Sequence, residues 1–198
     1  MKGLEIRGKY TGSATAQEAQ ASISRALDTL PATFKSLYVA ADGSVQAGCG
    51  SINFKEVTPG QIPSLLELFR AQHVRLEAAI FNKEVPRLAE GWFVKAELMQ
   101  EIAFPAQGER LTDVGDILLA IIKEARDCFA KLNVEIAADT EIPETGILSI
   151  MGRSHEIDAD MAEGYIEDIT EILTTALAAC GIPAGKNFEA SVEQVPRQ

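Results

Sequence analysis

Histidine, cysteine and tryptophan are scarce in this chain: its 198 residues hold two, three and one of them. With so few histidines, and with neither Gly-x-Ser-x-Gly nor His-Glu-x-x-His present, no serine triad or zinc-protease helix can be read from the chain. The glycine-rich loops that cradle phosphates are missing as well. Cys49, Cys128 and Cys180 are odd in number and lack metal-type spacing. That excludes a disulfide framework and leads us to expect a reducing, cytoplasmic setting.

Positive charge is also in short supply. Lysine and arginine total 18 against 29 acidic residues, a net charge of −11. Phosphate backbones and anionic lipid surfaces both require clustered cations. The densest groups here are only Lys2, Arg7 and Lys9, and Arg70 with Arg75. Neither a nucleic acid nor a membrane is therefore an expected partner. The longest apolar run, Ile117 to Ile122, is far short of the roughly 18–20 residues that span a bilayer. Met1-Lys2-Gly3-Leu4-Glu5 starts no secretory signal.

What remains is the composition of an ordinary folded protein, 46% hydrophobic and 24% charged. Leu4, Ile6, Gly8 and Tyr10 alternate with Glu5, Arg7 and Lys9, the period of a half-buried strand. Thr15-Ala16-Gln17-Glu18 is a capping box before a helix with Ala19, Ile23, Ala26, Leu27 and Leu30 on one face. Strands are expected over Phe34 to Ala41 and Ser44 to Phe54, turning at Asp42-Gly43. Thr58-Pro59-Gly60-Gln61 opens a second helix, with an apolar face running from Ile62 through Phe69 and Val74 to Ile80.

The second half repeats this order. A strand over Val94 to Phe104 precedes a helix from Thr112 to about Lys131. Strands follow at Leu132 to Ala138 and Ile147 to Gly152. A helix opened by Asp160 stops at Gly181-Ile182-Pro183, and Phe188 to Val192 closes the chain as a strand. Both halves thus read as the ferredoxin-like βαββα(β) unit. The expectation is an α+β protein of two tandem ferredoxin-like halves, residues 1–90 and 91–198. Each would have an antiparallel sheet covered by helices, together forming an internal pseudo-dimer. The closing strand of the first half is expected within Arg87 to Leu98, or else one strand serves both halves.

Chemistry-bearing side chains are densest at His155, Glu156, Asp158 and Asp160. A divalent cation would take such ligands. The plainer reading has the aspartates complementing a helix N-terminus. His73 is read as a mid-helix surface or packing residue. Gly48-Cys49-Gly50-Ser51 marks a bare stretch of strand, either a ligand floor or a tight crossing, and Trp92 and Phe93 anchor the join between halves. No cofactor can be assigned.

Without a convergent catalytic set, the preferred function is a non-catalytic binding protein. It would hold a small molecule or a protein in a cleft between halves, lined by Tyr38, Cys49, Ser51, Trp92, Met99, Ser149 and Met151. The alternatives are an acidic interaction, inhibitor or assembly subunit, and a metal-dependent enzyme centred on His155. Unpaired sheet edges leave room for a homo-oligomer.

Overall fold

The computed structural model describes residues 2–30, 33–41, 47–84, 90–104, 114–139, 141–142, 144–183 and 188–195. In chain order they form β1 (Lys2–Tyr10), α1 (Ala16–Leu27), β2 (Thr33–Ala41), β3 (Ala47–Glu56), α2 (Ile62–Ala71) and β4 (Val74–Glu84). Then come β5 (Gly91–Ala103), α3 (Val114–Ala125), β6 (Phe129–Ala138), β7 (Thr145–Ser154), α4 (Ala162–Ala179) and β8 (Phe188–Val195). All eight strands belong to one antiparallel sheet, ordered β2-β3-β1-β4-β6-β7-β5-β8. The order β2-β3-β1-β4, with α1 and α2, is that of the ferredoxin-like unit. β6-β7-β5-β8, with α3 and α4, has the same order.

Local chemistry explains most boundaries. At the start of α1 the Thr15 hydroxyl accepts from the Glu18 N–H (3.3 Å), and the Glu18 carboxylate accepts from the Thr15 N–H (2.9 Å). Before α2 the Thr58 N–H donates to the Gln61 side chain at 2.8 Å. After α4, Gly181 takes a left-handed conformation (φ 74°), which a side chain would oppose.

Two expectations need correction. The closing strand of the first half is β4, not a segment after Arg87. Its residues Val74 to Ile80 are strand where helical spacing predicts helix. α2 ends at Ala71, and His73, expected mid-helix, turns the chain with φ 59°. The second correction concerns the sheets. β4 and β6 pair from Ala78↔Ala137 to Glu84↔Lys131, so the strands form one sheet rather than two facing ones. The turn at Asp42-Gly43 and the helix start at Thr112 lie outside the described residues.

The helices pack in one layer, α1 on α2, α2 on α3 and α3 on α4. They cover the sheet face that carries Leu4, Ile6, Ile52, Phe54, Phe81, Val94, Leu98, Val134 and Ile150, all nearly inaccessible to solvent. One hydrophobic core runs through both sets of helices. Ser154 is the buried polar side chain among the described residues. Its hydroxyl accepts from the Val94 N–H (2.9 Å) and donates to the His155 carbonyl (2.7 Å), so both capacities are met.

The seam between β4 and β6 is a packed interface. An added Cβ at Gly115, near the start of α3, would lie 2.8 Å from Leu76 Cδ1 and closer still to Leu66 Cδ2. Only glycine lets α3 approach β4 and α2 so nearly. Arg70 of α2 pairs with Asp116 of α3. The Lys83 ammonium donates to the carbonyls of Arg126 and Phe129, each at 2.7 Å.

Candidate functional site

Among the described residues no helix covers the other face of the sheet. Alternation puts every second residue of each strand there. Ten of its charged side chains form pairs: Arg7 with Glu5 (2.7 Å), Arg75 with Glu77 (3.2 Å), Lys95 with Glu97 (2.8 Å), Lys131 with Glu84 (3.2 Å) and Arg153 with Glu193 (2.7 Å). The Glu97 hydrogen bond holds the Lys95 ammonium above its ordinary value. Exposed pairs of this kind contribute little stability, but they leave this face nearly neutral. The acidic excess lies elsewhere. Asp158, Asp160, Glu163, Glu167, Asp168 and Glu171, at the start and along the outside of α4, are all exposed, and no basic residue occurs between His155 and Lys186.

Within the neutral face lies an apolar patch. Met99 on β5 is directly opposite Ser149 on β7, and Ile147 and Met151 are the next same-face residues on either side of Ser149. Met99, Ile147 and Met151 are 65%, 55% and 50% exposed. The diagonal positions of an antiparallel pair are within reach of long side chains, so the three form a continuous surface. At the end of this patch the Arg153 guanidinium lies 5.9 Å from the centre of the Phe93 ring while it pairs with Glu193. Phe93 is in phase with the open face and is nonetheless buried.

Five of the expected ligand-lining residues therefore share this face, but in two groups. Tyr38 is opposite Ser51 on β2 and β3, and Met99, Ser149 and Met151 lie on β5 and β7. Four strand spacings separate β3 from β7, roughly 19 Å at the usual interstrand distance. Trp92 stands apart at the end of β5, where its carbonyl accepts from the Ile157 N–H at 2.9 Å. Cys49 pairs with Lys9 in the β1–β3 ladder. Because the halves join edge to edge, the crevice expected between facing sheets is replaced by one continuous surface.

His155, Glu156, Asp158 and Asp160 are all exposed. Among the described residues no three His, Cys, Asp or Glu side chains come together to hold a metal ion. Glu156 folds back on the chain: an added Cβ at Gly91 would lie 2.6 Å from its Oε1. Asp158 precedes the turn into α4 with extended backbone (φ −77°, ψ 138°), and Asp160 sits in that first turn, where a negative charge suits the helix end. The described cysteines are poor nucleophiles. Burial, then the Asp127 charge, pushes the Cys128 thiol up, and burial pushes Cys180 up to about 11.

Gly50 belongs to neither group. It pairs with Gly8 on the helix side of the sheet. Around the two glycines, Ile6, Ile23, Leu37, Val39, Ile52 and Val74 enclose a void with room for about one water. Sequence reasoning missed Ile147 and the Phe93–Arg153–Glu193 cover. The signal was present: Ile147-Leu148-Ser149-Ile150-Met151 is apolar in both phases of a strand, which marks two contacting faces.

No protein-family model and no curated protein matches the sequence. Among solved structures the chain is similar to a chlorite dismutase-like protein, with 12% identity, a TM-score of 0.31 and coverage of 100% of this chain and 96% of that one. It is also similar to a glycine cleavage system transcriptional repressor (11% identity, TM-score 0.29, coverage 99% and 98%). A third is an unknown protein from Galdieria sulphuraria (10% identity, TM-score 0.30, coverage 98% and 97%). Likenesses this distant carry no argument about function. Among the described residues no helix is long and apolar enough to cross a membrane.

Proposed function

We propose that this is a non-catalytic binding protein that engages a protein partner through the uncovered face of its sheet. The observation that supports this most directly is the patch of Met99, Ile147 and Met151. Exposed apolar side chains set in a neutral surface are what a protein interface is made of, and they cost free energy when left in water. A flat sheet cannot enclose the ~70–90% of a small ligand's surface that binding sites usually bury, so a protein is favoured over a small molecule. We also infer that the recurring strand order reflects a duplicated unit, with residues 1–90 and 91–198 as its two copies. The unpaired thiols of half-buried Cys128 and buried Cys180 suit a reducing cytoplasm.

The same patch makes the chain its own readiest partner at high concentration, which provides the test. Sedimentation velocity over a concentration series should show weak, reversible self-association of the wild type. Met99→Glu combined with Met151→Glu should abolish it and reduce anilinonaphthalene sulfonate fluorescence. The thermal midpoint should stay nearly unchanged, since surface substitutions usually fall within about 0.5 kcal/mol. Identical sedimentation and dye binding in the two proteins would overturn the proposal.

A further inference from the structure

The edge strand β2 lies beside a groove lined by Ala16, Gln17, Gln20, Ala21 and Ser24 of α1 and by Val39 of β2. The chain itself shows what such a position can hold. Because the two halves share a strand order, β6 is the counterpart of β2 and α3 that of α1. When Ala16 is aligned with Val114, the first residues of the two helices, Ala19 and Ile23 fall on Ile117 and Ile121, which are buried in the same way. Gln17, Gln20 and Ser24 then fall on Gly115, Leu118 and Ile122. Those three are buried in α3, which packs over β4, the strand paired to the outside of β6. The groove beside α1 is thus the counterpart of the seat that β4 fills, with small and polar residues for its lining.

One side chain already imitates an incoming strand. The Gln20 carboxamide donates to the Leu37 carbonyl and accepts from the Val39 N–H, both at 3.4 Å. A carbonyl and the N–H two residues on are the pair that an added strand's backbone would engage. Both bonds are longer than the usual 2.7–3.2 Å, so a peptide backbone in this place would bond more strongly.

We propose that the groove between α1 and β2 is a strand-addition site. It accepts an extended peptide segment of another protein as a ninth strand on β2, and Gln20 yields its two hydrogen bonds to the incoming backbone. Recognition rests on the peptide's N–H and C=O groups. A second copy of this chain fits less well. Its free edge, β8, carries α4 with it, and the acids of α4 would approach a helix that begins with Glu18 and lines the groove with polar side chains. The site is distinct from the open face and does not depend on the function proposed for that face.

A fluorescein-labelled peptide with the sequence of β4, Val74–Glu84, is a suitable probe, since that segment fills the corresponding seat. Its binding to the full chain is followed by fluorescence anisotropy. The peptide should bind saturably, and a version carrying A78P and A79P, which lacks an N–H on each edge of the strand, should not. Gln20→Ala should tighten binding severalfold by vacating the edge. Ser24→Arg, which crowds the groove from a half-buried position on α1, should weaken it while the thermal midpoint holds. Equal binding of the proline peptide would overturn the proposal. So would binding by Gln20→Ala with none by the wild type, because Gln20 would then be a permanent guard on the edge. Self-association of the wild type lost in Ser24→Arg would identify a second copy as the occupant and reject the peptide.

Discussion

Gly115 and Gly164 make a matched pair for testing how tightly the two sets of strands and helices are joined. Both lie in the first turn of a helix, α3 and α4 respectively. In either position alanine gains up to about 1 kcal/mol of helix propensity over glycine. Around Gly164 nothing lies within 4 Å of an added Cβ, so Gly164→Ala should keep that gain. At Gly115 the methyl group would press on Leu66 and Leu76 in a packed core, and over-packing of this kind costs about 1–3 kcal/mol. Gly115→Ala should therefore be less stable than Gly164→Ala by about 1–3 kcal/mol. At about 2–4 °C per kcal/mol for a chain of this size, the thermal midpoints should differ visibly. Urea denaturation followed by far-ultraviolet circular dichroism and by the fluorescence of Trp92, the single tryptophan, gives the free energies. The core runs unbroken across the seam, so both signals should report the same midpoint. If Gly115→Ala proves as stable as Gly164→Ala, α3 does not pack against α2 and β4 as described. If the two signals separate, the halves unfold independently and the cooperative seam is refuted.

Other outcomes follow from particular contacts. Thr15→Ala removes the hydroxyl of the capping box and should cost about 1 kcal/mol in urea denaturation; Thr15→Ser should restore most of it. Gly50→Ala places its methyl 3.6 Å from the Tyr38 carbonyl oxygen and 3.8 Å from Val39 Cγ2. It should be neutral or stabilise by up to about 1 kcal/mol through a less flexible unfolded chain, and a clear loss would show that the void beside α1 is not available to it. Cys180 has a folded value of about 11 against an ordinary 9.0. Its contribution to stability is complete below pH 9 and is lost as pH rises toward and through 11. Thermal melts across this range should show an alkaline decline that Cys180→Ala reduces, and native Cys180 should resist a thiol reagent at neutral pH.

Most strands were legible because one face is buried and the other is not, so period-two alternation survives in the sequence. The caps at Thr15 and Thr58 were legible because side-chain capping is a local event. β4 was not. Phe69, Val74, Leu76 and Ile80 also fit helical spacing, and the helix is stopped by a histidine in a left-handed conformation rather than by glycine or proline. A register shift where β4 pairs with Arg7 and Gly8 further breaks its alternation. The pairing of β4 with β6 depends on contacts across the whole chain, which is why two sheets were expected where there is one. At the open face, Tyr38, Ser51, Met99, Ser149 and Met151 were legible as strand residues that could meet a ligand. Period-two reasoning could not supply the lateral order of the strands, so the distance between the two groups was not legible. The carboxylates around His155 were conspicuous as letters, but exposed side chains at a helix start have nothing to draw them together.

The separation of charge between the two layers makes the molecule electrically lopsided. On its strand side five cations sit beside anions and little field escapes. Its α4 side carries six exposed acids. Long-range attraction therefore acts on the helices before short-range fit acts on the strands. Near a cationic surface or a basic macromolecule, the protein would arrive with α4 leading and its neutral side turned outward, still free to bind something else.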